Sequence, residues 1–118
     1  MRTIDDAHKI ESHKQKFIGK PLIYLLREIR PQIKMVTIRE SSIHGLGAFI
    51  FKFVDSNEIK SYNKAKKYPI RITVFVAGKV KNKTNQSLYE KEKWSKEDER
   101  IYGNLTIVNV AVFGEQLK

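Results

Sequence analysis

Between Glu58 and Glu90 the chain carries eight basic residues and no acid: Lys60, Lys64, Lys66, Lys67, Arg71, Lys79, Lys81 and Lys83. The whole chain of 118 residues has 23 Lys and Arg against 13 Asp and Glu, a formal charge of +10, so residues 59–89 supply +8 of it. A block of one sign draws anionic partners and raises their encounter rate. The chemistry open to these residues is anion binding, and the eight together are the candidate site. Tyr62, Tyr68, Phe75 and Tyr89 lie among them. Aromatics among cations are what single-stranded nucleic-acid grooves use, with bases stacked on rings and phosphates tracked by charge. Seven of the eight are lysine, however, and specific forks to bases or phosphates favour arginine, so such binding is expected to be mostly non-specific.

Other reactive residue types point less far. His8 and His13 are five apart, about 140° around a helix, so they cannot chelate one ion together, and they read as exposed helix histidines. His44 sits beside Ser41 and Ser42 with Gly45 and Gly47 following, which suits a hydrolase or transferase loop. A Ser–His pair also needs an orienting acid and an oxyanion hole, and neither can be placed from the sequence. Gly45-Leu46-Gly47 precedes a strand-like run and lacks a following Gly-Lys-Ser/Thr, so it is not a phosphate loop. Glu90, Glu92, Glu97, Asp98 and Glu99 alternate with Lys91, Lys93, Lys96 and Arg100, the pattern of a solvated surface with weak ion pairs. Asn82, Asn85 and Asn104 head glycosylation-type triplets, which polar loops produce by chance. There is no cysteine, which excludes disulfides, thiolate metal sites and cysteine nucleophiles. No catalytic, cofactor or metal set is expected.

These residues need a scaffold, and the length and composition suit a single domain over residues 1–118, with 41% hydrophobic and 31% charged residues. The first thirty residues hold Asp5, Asp6 and Glu11 and no apolar h-region, so they do not read as a signal peptide. No run approaches the roughly 18–20 apolar residues of a membrane span.

Thr3 with Asp5 and Asp6 predicts a helix start, and Ile4, Ala7, Ile10, Lys14 and Phe17 share one stripe up to Gly19. Pro21 is expected at the first position of a second helix running to Ile29, with Leu22, Leu25, Leu26 and Ile29 as its buried face. Period-two segments then predict strands over 33–40, 48–54, 70–77 and 104–113, the first two forming a hairpin. Asp55-Ser56-Asn57 starts a short helix through Ile59 and Tyr62 to Lys66. Ser95 with Asp98 predicts another helix, stopped at Gly103. The last strand is apolar on both faces and is expected at the centre of the sheet. The sum is an α+β fold: an N-terminal helical pair on one face of a four-stranded, mainly antiparallel sheet.

Phe17-Ile18-Gly19-Lys20-Pro21, Leu25-Leu26 and Ile29-Arg30-Pro31-Gln32-Ile33-Lys34 resemble the opening of small exported bacterial proteins of unknown function. Trp94-Ser95-Lys96-Glu97-Asp98 and Tyr102-Gly103 form a second resembling patch. The resemblance implies a compact α+β unit working outside the cytoplasm after loss of a leader, and it supplies no catalytic residues. From the residues themselves, the leading expectation is a non-enzymatic binding module whose basic region, 59–89, meets an acidic protein or another polyanion. Non-specific nucleic-acid binding is one alternative and a small enzyme built around His44 is another.

Overall fold

The computed structural model describes residues 1–40, 45–78, 88–91 and 94–116. The four expected strands are β1 (Met35–Arg39), β2 (Leu46–Lys52), β3 (Arg71–Ala77) and, at the end of the chain, β5 (Thr106–Phe113). Leu88–Lys91 adds a fifth, β4, pairing with β1 at the sheet margin. The order is β4-β1-β2-β3-β5 and every pair is antiparallel. β4 lies in a polar stretch with no apolar alternation, so only the pairing supplied by β1 reveals it.

Alternation decides the faces. Val36, Phe51, Ile72 and Val112 stand opposite one another across four strands, and Ile38, Phe49, Val74 and Val110 form the next row. All eight are buried. The helices α1 (Ala7–Ser12), α2 (Leu22–Leu26) and α4 (Lys96–Tyr102) pack on this side, contributing Ala7, Ile10, Leu22, Leu25 and Tyr102 to the same core. Phe49 anchors an aromatic cluster, edge-on to Trp94 at 5.7 Å and tilted to Tyr102 at 5.1 Å. The N-terminal helical pair therefore covers one face of an antiparallel sheet in an α+β fold.

The helices are short, and their ends are held by side chains and neighbouring backbone. Ser95 Oγ accepts the Asp98 N–H at 3.1 Å while the Asp98 carboxylate accepts the Ser95 N–H at 2.8 Å, the reciprocal cap expected from the sequence. Asp55 and Glu58 do the same for α3 (Ser56–Lys64). Glu58 also binds Lys34 at 2.7 Å and raises the pKa of that ammonium, tying α3 to the approach to β1. The first expected helix is realised as α1 flanked by single 3-10 turns at Ile4–Asp6 and Lys14–Lys16, and Gly19 ends it at φ +87. Pro21 is the N-cap of α2 with extended ψ of 149°, one position earlier than expected. Its place is set by backbone bonds from Leu22 N–H to Leu105 O and from Ile23 N–H to Gly103 O, 2.8 and 2.9 Å.

The last strand corrects the expectation most clearly. β5 is at an edge, not at the centre. A bulge sets Phe75 opposite Asn109 and Val76 opposite Ile107, leaving Val108 between them. The phase of alternation shifts there, so apolar residues at both parities reflect the bulge and not burial on two faces. The outer edge is covered from the N-terminus, since Gly19 N–H donates to Ile107 O and Ile107 N–H to Lys20 O, both 2.8 Å. The Glu11 carboxylate accepts the Val112 N–H at 2.8 Å. Such cover blunts the tendency of an edge to recruit another strand.

Candidate anion-binding cleft

Five of the eight candidate cations fall within the described residues. Lys60 and Lys64 are exposed on α3, one helical turn apart. Lys66 and Lys67 form the turn after it, and Arg71 opens β3. Lys79, Lys81 and Lys83, and with them His44, Ser41 and Ser42, lie outside the described residues. Gly78, the last described residue before Lys79, is at the far end of β3 from Arg71, roughly 23 Å away at strand rise.

The turn is built by the helix that precedes it. Lys66 N–H donates to Asn63 O at 3.1 Å and Lys67 N–H to Tyr62 O at 2.9 Å, and Lys66 takes a left-handed φ of 57°. Part of the local lysine density therefore serves the negative end of the helix dipole. The chain then reverses through Tyr68-Pro69 into β3. Glu115 N–H donates to Tyr68 O at 3.0 Å, fastening the end of β5 to this turn. Gly114, at φ +95, makes the approach possible, because a Cβ there would run into the Pro69 carbonyl. His8 Nε2 donates to Gly114 O at 3.0 Å and holds the same segment from α1.

The result is a cleft of about 440 Å³ lined by Lys66, Lys67, Tyr68, Arg71, Phe113, Gly114 and Glu115. Tyr68 is 77% exposed and Phe113 51% exposed, which is unusual for large rings. The Arg71 guanidinium lies 5.4 Å from the centre of the Phe113 ring, within cation–π range. Arg71 and Phe113 are register partners, and Lys52 is the partner of Arg71 on β2. The row Lys52–Arg71–Phe113 thus crosses the sheet on the face opposite α1, α2 and α4. One acid intrudes: Glu115 lies 3.8 Å from Lys67.

The structure brings together Lys66, Lys67 and Arg71 and leaves Lys60 and Lys64 outside the lining. Of the interleaved aromatics whose side chains are described, only Tyr68 joins them. Tyr62 is buried and Phe75 half-buried, while the Tyr89 side chain is outside what is described. Phe113 and Glu115 are the residues sequence reasoning missed. Phe113 ends a strand that looks apolar on both sides, and its exposure follows from the bulge and the edge position, which are long-range properties. Among the described residues no group of three or more His, Asp or Glu could hold a metal, and no helix is long and apolar enough to cross a membrane. Comparison with protein-family models, with curated proteins and with solved structures finds no match for this chain.

Proposed function

We propose that this chain is a non-enzymatic binding module that docks an anionic partner in the cleft between the α3–β3 turn and the end of β5. The observation that carries the reading is the convergence of Lys66, Lys67 and Arg71 with two exposed aromatic rings around one cleft. Scattered lysines serve solubility and need no further account. Three cations from the α3–β3 turn and the start of β3 meeting residues some forty positions later in the chain form a local field with a defined shape. Exposed cations are screened within about 8 Å at physiological salt, so only those gathered this closely act together on one ligand.

The test is heparin binding across a salt series with two charge-matched triple variants. One is Lys66→Glu, Lys67→Glu and Arg71→Glu; the other is Lys14→Glu, Lys16→Glu and Lys20→Glu at the N-terminus. Both change net charge by six. The proposed site predicts that the first abolishes binding and flattens the salt dependence, as loss of anion contacts does, while the second weakens it modestly. Equal losses would reduce the effect to net charge and defeat the reading.

A further inference from the structure

We infer that the occupant of this cleft is single-stranded nucleic acid, held by base stacking on Tyr68 and Phe113 and by phosphate contacts to Lys66, Lys67 and Arg71. The inference rests on the anion-binding reading above and names its ligand. An acidic protein face would supply carboxylates to the cations but a planar partner for the two solvent-facing rings only where it also carries aromatic side chains. A free phosphate supplies no such partner. A single strand presents both parts at the spacing of one nucleotide: an anion for each cation and a flat apolar base for each ring.

The geometry favours this ligand in two further ways. The Arg71 guanidinium, 5.4 Å from the Phe113 ring centre, adds a planar cation beside that ring and so extends the stacking surface. Lys52 is the register partner of Arg71 on β2, so the basic residues continue one strand beyond the cleft along the same row. A duplex keeps its bases stacked on one another and cannot offer them to exposed rings, so the site selects single strands. Lysine-rich contacts carry little base information, and sequence preference is expected to be weak. Glu115 competes for Lys67 at 3.8 Å and opposes the incoming phosphate, so it restrains affinity.

The experiment measures fluorescence anisotropy of four labelled probes at low and physiological salt: oligo-dT, an abasic oligonucleotide of equal length, the dT·dA duplex, and heparin fragments. The wild-type chain should bind oligo-dT more tightly than the abasic strand by roughly 5- to 150-fold for each base stacked. Tyr68→Leu and Phe113→Leu should each remove about one base's share of that advantage, with a much smaller change in abasic and heparin affinities. Glu115→Gln should tighten binding to every probe. Tyr68 is almost fully solvent-facing, so its variant keeps the test valid even if Phe113→Leu lowers stability. Equal affinity for dT and abasic strands, duplex binding as tight as single-strand binding, or indifference to both aromatic variants would overturn the nucleic-acid inference and leave the anion site standing. Failure to bind any probe, heparin included, at low salt would overturn both.

Discussion

Leu25→Ala and Leu26→Ala form a matched pair that tests how the second helix is seated. Spacing alone places both on the buried face, but only Leu25 is fully enclosed, at 0% exposure, whereas Leu26 is half-buried beside the core. Truncating Leu to Ala removes three carbons, about 2.4 kcal/mol at roughly 0.8 kcal/mol each. An unfilled void adds about 24 cal/mol for each Å³, so 40 Å³ that fails to close contributes about 1 kcal/mol more. Leu25 lies where α2 meets the sheet rows, with its helix tied at the start to Leu105 and Gly103, so relaxation there is restricted. The expected loss is about 3–4 kcal/mol for Leu25→Ala and about 1–2 kcal/mol for Leu26→Ala, which keeps part of its surface in water already. A five-residue helix has no stability of its own to lose, so the difference reports packing and not helix propensity. Guanidinium unfolding followed by the fluorescence of Trp94, packed on Phe49 and Phe51, gives the measurement. The midpoint should fall with an unchanged slope. Equal losses from the two variants, or a Leu25→Ala loss below about 1 kcal/mol, would mean that α2 is rotated from this placement.

Two further outcomes follow from local geometry. The Thr3 N–H, together with Lys9 and the Arg2 N–H, holds the Asp6 carboxyl below the ordinary aspartate value of 3.8. Its stabilisation is therefore present above pH 3.8 and lost as pH falls through the lower folded value, so the stability gap between wild type and Asp6→Asn should close in acid; a gap independent of pH refutes the cap. Gly114→Ala should destabilise by more than about 1 kcal/mol, because a left-handed φ of +95 and a collision with the Pro69 carbonyl act together, and thermal unfolding unchanged by the substitution would show that β5 does not close against the turn.

What the sequence determined by itself is local in origin. The caps at Asp55 and Ser95 depend on residues three apart, and both appear in the structure with both of their reciprocal bonds. Gly19 ends the first helical stretch because a positive φ suits glycine, a property of one residue. The inward set Ile72, Val74 and Val76 follows from period-two alternation within β3, and the hairpin of β1 and β2 from two such runs close in sequence. Tertiary structure decided what depends on partners far away along the chain. β4 has hydrogen bonds only because β1 is beside it, and no pattern within Leu88–Lys91 announces them. The bulge at Val108 arises from the register between β5 and β3, and it turns an apparently two-faced core strand into an edge with Phe113 facing solvent. The cleft has the same origin. The excess of lysine was plain in the sequence, but Arg71 and Phe113 are 42 positions apart, and only antiparallel pairing sets one over the other. Charge is a sum over residues and can be read from composition; a site is a coincidence of side chains in space, set by register.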